Sequence, residues 1–192
     1  MDKKIPIEIS ARHIHLCQKD LEVLFGREYQ LKKLKKLSQA DDFAAKEKID
    51  IKIGNKIIRG IRIVGPVRKE TQIEISLTDV FNMGVRPVLR LSGNLKGTPG
   101  AVLIKGKKKL KIKQGVIIAQ RHLHCSPNEA KLLNLKNGTF ISVKVEGKRG
   151  ITFHNIKVRA KRDYKLSLHL DTDEGNAAGI FKKGKGELCS EL

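Results

Sequence analysis

The sequence predicts a mainly β protein built as two pseudo-repeated halves, and two observations carry that prediction. Short apolar runs, alternating or continuous, recur along the 192 residues and are commonly separated by Gly or Asn turns. In addition, Arg12-His13-Ile14-His15 returns as Arg121-His122-Leu123-His124, 109 positions later (122 − 13), each copy opening a stretch with helical spacing. Two long copies argue against a one-dimensional solenoid, which needs three or more short ones.

Strands are expected at Ile5 to Ile9, Ile49 to Ile53, Ile57 to Val64, Gln72 to Leu77, Val88 to Leu91, Ala101 to Ile104, Leu110 to Ala119, Phe140 to Val145, Ile151 to Val158 and Leu166 to Leu170. Strands this short suggest barrels or sandwiches. Helical spacing marks Gln18 to Phe25, where Leu21, Leu24 and Phe25 share one side, and Pro127 to Leu135, where Pro suits the first turn. A third short helix is expected from Thr78 to Met83. The last stretch, Phe181 to Leu192, reads as a mobile tail.

The repeat extends further under a second shift. Thr71 to Asp79 lies over Lys165 to Asp173 when moved by 95 (169 − 74), bringing Glu74 onto His169 and Gly84 onto Gly179. The difference between the shifts places about fourteen extra residues in the first half, in the basic stretch from Gln30 to Lys48.

Composition bounds the function classes. No apolar run approaches the roughly 18 residues that a membrane span needs, and Met1 to Pro6 lacks the hydrophobic region of a signal peptide. A soluble, cytoplasmic protein without a membrane partner is expected. Cys17, Cys125 and Cys189 are an odd count without framework spacing, so disulfides are not indicated. A formal charge of +20 invites a polyanionic partner, but aromatic residues are only 4% of the chain, which weakens a base-stacking platform. Nucleic acid is therefore not the expected partner.

Strand geometry turns the histidine pairs into candidate metal sites. Side chains two apart share a face, so His13 converges with His15 while Arg12 and Ile14 point away, and His122 converges with His124. With Glu74 or His169 added, each half offers three ligands and leaves one open position on a tetrahedral zinc, the pattern of a catalytic site. One His-x-His alone arises by chance on polar strand faces, whereas five of six histidines at repeat-matched positions do not. The sixth, His154, corresponds to Arg59 and reads as a solvent-facing residue. Extended backbone aims Cys125 away from His124, and free cysteines are most often small buried hydrophobes.

Several motifs together resemble the PduL-type phosphotransacylases: Ser10 to Leu16, Leu37-Ser38-Gln39, Gly65 to Ser76, Ser92-Gly93-Asn94, Gly97 to Gly100, Arg121 to His124 and His169 to Gly179. The resemblance runs from about Pro6 to Ile180. It implies two pseudo-repeated β-barrel domains capped by short α-helices, residues 12–119 and 120–192, the second completed by the N-terminal strand within residues 1–11, with the active site at the interface. It implies reversible transfer of a short acyl group, acetyl or propanoyl, between coenzyme A and inorganic phosphate, giving an acyl phosphate. Two Zn2+ ions per chain are implied, one on His13, His15 and Glu74, the other on His122, His124 and His169.

Further roles follow from the same resemblance. Arg68 matches the arginine that contacts phosphate. Ser10, Lys35, Arg62, His169 and Asn176 match coenzyme A positions, and Phe81 matches an adenine-stacking residue supplied to a neighbouring subunit, so a homodimer is expected. Ala11, Cys17 and Cys125 depart from the family's usual Asn, Ser or Thr, and Met, and none of them is a proposed ligand. The family-like region begins too early to leave an N-terminal microcompartment-targeting extension.

Direct displacement by phosphate needs no acyl-enzyme, which would be the signature of a cysteine route. A zinc hydrolase with water at the open position is the alternative enzyme. A basic nucleic-acid-binding barrel is the alternative of another class, and it leaves the paired histidines without a role.

Overall fold

Alternation along the chain decides most of the architecture. The computed structural model describes residues 4–86 and 88–189. Its first strand is β1 (Lys4–Ser10), in which Ile5 and Ile7 are buried while Lys4 and Pro6 face outward. The chain forms two compact units: one runs from Arg12 to Ala119, and the other joins the segment through Ala11 to the segment from Gln120 onward.

The Arg12–Ala119 unit holds β2 (His13–His15), β3 (Lys33–Lys36), β4 (Phe43–Ile53), β5 (Lys56–Gly65), β6 (Gln72–Glu74), β7 (Leu89–Arg90), β8 (Ala101–Lys105), β9 (Lys108–Ile112) and β10 (Val116–Ala119). They form one curled sheet in the order β7-β10-β6-β2-β5-β4-β8-β9, with β3 laid against β4. Two helices, α1 (Gln18–Phe25) and α2 (Leu77–Met83), cover it. Phe43, Ala45, Ile49, Ile51 and Ile53 of β4 meet Leu21 and Leu24 of α1 in one core with Ile14 and Ile73. Truncating a side chain as enclosed as Ile14 costs about 2–5 kcal/mol, because the cavity collapses only in part.

The other unit holds β11 (His122–Cys125), β12 (Phe140–Val145), β13 (Ile151–Ala160), β14 (Ser167–Asp171) and β15 (Lys183–Leu188). With β1 they close a six-strand barrel in the order β1-β14-β11-β13-β12-β15. Its core includes Ile5, Ile7, Leu123, Val143, Ile156, Leu168 and Leu170. Two helices accompany it, α3 (Pro127–Leu132) and α4 (Thr172–Ala178).

Around the histidine pairs the halves correspond strand by strand. In the first, β2 pairs parallel with β5 and antiparallel with β6, setting His13 opposite Glu74. In the second, β11 pairs parallel with β13 and antiparallel with β14, setting His122 opposite His169. Helices α2 and α4 match end to end; each starts in a capping box and ends on a left-handed glycine, Gly84 or Gly179. Strands β10 and β1 match as well, since Ile117 lies beside Glu74 as Glu8 lies beside His169. Strand β3 and the loops around it occupy the extra length of the first half.

Three expectations are corrected. Phe181 to Leu192 is not simply a tail, because Lys183–Leu188 is β15, paired on both sides and closing the barrel; residues 190–192 lie outside the described residues. The stretch Leu110 to Ala119 is two strands, broken at Gly115, which takes a φ of 129°. Strand β6 stops at Glu74, and Leu77 already belongs to α2, because Ser76 caps that helix by accepting from the Asp79 amide. Helix α4, opened by Asp171, Asp173 and Glu174, has no counterpart among the expected helices.

Candidate metal and anion sites

The first triad is assembled by two neighbouring strands of the Arg12–Ala119 unit, β2 and β6. Ile14 is drawn into the core, so His13 and His15 emerge together on the other face of β2, opposite Glu74 and Gln72 of β6. The two Nε2 atoms lie 3.1 Å apart. Glu74 brings Oε2 to 3.7 Å from His13 Nε2 and Oε1 to 4.0 Å from His15 Nε2.

This donor set fits a metal ion. The three ligand atoms lie within 4.8 Å of one another, and ligands at tetrahedral zinc bond lengths stand roughly 3.3 Å apart. The tautomer of His15 fits too. Its Nδ1 lies 3.0 Å from the Val64 carbonyl, which can only accept, so Nδ1 carries the proton and Nε2 presents its lone pair. Burial first, then the charges of His13 and Arg68, hold His15 well below the ordinary imidazole value, so it is the neutral form a metal requires.

Around the triad runs a polar network that the sequence did not disclose. The Gln72 amide donates to Glu74 Oε1 and, at 2.9 Å, to Ser92 Oγ, while its carbonyl accepts from the Gly93 amide at 2.7 Å. Arg68 enters the same network by donating from Nη1 to Ser92 Oγ at 3.2 Å. Its Nη2 lies 3.8 Å from Asp42, whose carboxyl is raised above the usual range by burial, a shift Arg68 partly opposes. Arg68 also donates its backbone amide to the Leu16 carbonyl at 2.9 Å, which ties its loop to the end of β2. A partly exposed guanidinium held beside three ligand atoms is suited to gripping an oxyanion.

The second triad sits on the closed barrel. Leu123 is buried in the barrel core, leaving His122 and His124 on the opposite face together with His169. Their ring centroids are 4.6, 5.2 and 4.8 Å apart, for His122–His124, His122–His169 and His124–His169. His122 Nδ1 lies 2.8 Å from the Gln120 carbonyl, which fixes its tautomer as Val64 does for His15. Tyr164 stacks on His124 at a centroid distance of 3.9 Å.

The remaining expected positions are distributed over both units. Lys35 of β3 pairs with Ala44, and Arg62 of β5 pairs with His13 and donates to the carbonyls of Ala45 and Lys46, both at 3.0 Å. These two cations thus border the first residues of β4. Phe81 is 82% exposed on α2. In the barrel unit, Ser10 ends β1 opposite Asp171, and Asn176 is exposed on α4. His154 is exposed and shares a 2.8 Å contact with Ser142 Oγ; Cys125 is fully buried. Cys17 caps α1 without a side-chain hydrogen bond.

Arg12 and Arg121 do turn away from the ligands, and they have partners there. Arg12 pairs with Asp79 at 3.0 Å and Arg121 with Glu174 at 2.7 Å. Glu174 and Asp79 are the third residues of their capping boxes, so each arginine ties a histidine strand to a helix start.

Comparison with known proteins identifies the family. The family model described as phosphate propanoyltransferase matches residues 6–181. The phosphate propanoyltransferase of Sebaldella termitidis is 46% identical over 183 residues, covering 95% of this chain and 86% of that protein. That of Thermotoga maritima is 46% identical over 175 residues, covering 91% and 83%. That of Salmonella typhimurium is 42% identical over 178 residues, covering 92% and 84%. The chain therefore belongs to the phosphate propanoyltransferase family and is a transferase enzyme of the phosphate acyltransferase class.

Proposed function

We propose that this enzyme transfers an acetyl or propanoyl group between coenzyme A and inorganic phosphate by zinc-dependent direct displacement. The observation that carries the reading is the convergence of His13, His15 and Glu74 on one point with the Arg68 guanidinium beside them. His13, His15 and Glu74 would hold one zinc ion, and His122, His124 and His169 a second. Bound there, zinc supplies Lewis acidity toward a carbonyl oxygen and positive charge toward a departing thiolate.

The side chains account for the rest of the chemistry. Arg68 exchanges its 3.8 Å contact with Asp42 for a phosphate oxygen, while Ser92 keeps the guanidinium oriented. Holding phosphate in this way removes the entropy of a bimolecular encounter and replaces part of its hydration. One phosphate oxygen then attacks the thioester carbon. The new C–O bond forms as the carbonyl oxygen takes up negative charge, the C–S bond then breaks as that charge returns, coenzyme A leaves as a thiolate, and the proton lost by hydrogen phosphate balances the charge on that sulfur. Gln72 keeps Glu74 and the Ser92–Gly93 turn in one arrangement throughout.

Coenzyme A would draw on Ser10, Lys35, Arg62, His169 and Asn176, and its phosphates suit a chain of net charge +20. Exposed Phe81 would stack on adenine bound by a neighbouring subunit of a homodimer. The test is incubation of the purified protein with acetyl-CoA or propanoyl-CoA, with and without phosphate. Acyl phosphate should accumulate only with phosphate. Equal release of coenzyme A in its absence would identify a hydrolase instead.

A further inference from the structure

Ser167 lies opposite His124 in the β11–β14 pair and two residues from His169 on the same face of β14. Directly opposed residues of an antiparallel pair bring their Cβ atoms to about 5 Å, so the hydroxyl lies against the three-histidine cluster. Ser167 is 2% exposed, and among the described residues its Oγ has no hydrogen-bond partner. Leaving a buried hydroxyl unsatisfied is costly, and native proteins rarely do so without a reason.

The repeat sharpens the point. A shift of 95 (167 − 72) carries Gln72 onto Ser167, so both stand two residues before the third ligand, Glu74 or His169. Gln72 spends its amide on Glu74, Ser92 and Gly93. Ser167, in the same place, has its donor and acceptor capacity unspent among the described residues.

We infer that Ser167 is a substrate-contacting residue whose hydroxyl donates a hydrogen bond to an oxygen of the reacting group at the three-histidine cluster. The ligand chemistry is an anionic oxygen, borne either by phosphate or by the thioester carbonyl as it becomes an oxyanion. The inference rests on the acyl-transfer reading given above. A donor aimed at developing charge in a buried site is worth more than the same contact in water.

The test compares wild-type protein with Ser167→Ala and Ser167→Thr. Initial rates are measured while acetyl-CoA and phosphate are varied, melting temperatures with and without phosphate, and zinc content by elemental analysis. Ser167→Ala should lower kcat/KM about tenfold, the loss of one such hydrogen bond, with zinc content unchanged and an unliganded melting temperature no lower than wild type. Ser167→Thr, which keeps the hydroxyl, should recover part of the loss. A raised phosphate KM with a smaller phosphate-induced melting shift assigns the phosphate oxygen; a fall in kcat alone assigns the carbonyl oxyanion. Rates within twofold of wild type and an unchanged phosphate-induced shift in the Ala variant overturn the inference. Absence of phosphate-dependent transfer in the wild type would instead defeat the acyl-transfer reading, so the two failures are separable.

Discussion

The Arg121 guanidinium rests 2.7 Å from Glu174, and the same carboxylate accepts the Asp171 amide at 3.0 Å. One side chain therefore closes the capping box of α4 and fastens the residue that precedes the His122–His124 strand. Arg12 and Asp79 repeat the arrangement in the other half.

The first prediction separates the two duties of Glu174. Gln can still complete a capping box but cannot form the ion pair. Glu174→Gln should lose about 1 kcal/mol, within the range for a partly exposed charge-assisted contact, and Glu174→Ala about 2 kcal/mol, since the cap is lost too. Urea unfolding measures both. Equal stability of the Gln and Ala variants would show that the cap contributes nothing.

Arg68 should be specific for phosphate. Arg68→Ala should spare zinc content and raise the phosphate KM at least tenfold, the loss of a charge-assisted contact. Lys should recover only part, because a point charge does not replace a planar fork. Unchanged phosphate kinetics in the Ala variant would remove Arg68 from the site.

The cysteines should be dispensable. Burial first, then the Glu129 charge, pushes the Cys125 thiol up, away from the thiolate that nucleophilic attack requires. Below its raised pKa the thiol stays protonated, so Cys125 should resist alkylation at neutral pH in the folded protein. Replacement of Cys17, Cys125 and Cys189 by Ser or Ala should leave an active enzyme with intersecting initial-rate lines. A stoichiometric acyl adduct on Cys17 or Cys125, discharged by phosphate at the turnover rate, would establish a covalent route instead.

The sequence was readable where structure depends on neighbours along the chain. His-x-His alternation and the repeat marked in advance side chains that the structure sets together, His13 and His15 near Glu74 and His122 and His124 near His169, since the period of a strand fixes which side chains share a face. Elements set by distant partners were hidden. Lys183-Gly-Lys-Gly-Glu-Leu188 has little strand character of its own and becomes β15 by pairing with β1 and β12, where a side chain on Gly186 would collide with Val143. Helix α4 contains Gly175, a poor helix former, because a Cβ there would come within 2.6 Å of Ile9. The contacts of Gln72 with Ser92 and of Arg121 with Glu174 were hidden too, for these partners lie 20 or more positions away.

Zinc content tests the central claim most directly. Protein purified without chelator should carry two zinc ions per chain by elemental analysis, and both His13→Ala/His15→Ala and His122→Ala/His124→Ala should carry about one, because each triad loses two of its three ligands. Unchanged zinc content in both double variants would contradict the assignment of either triad as a metal site.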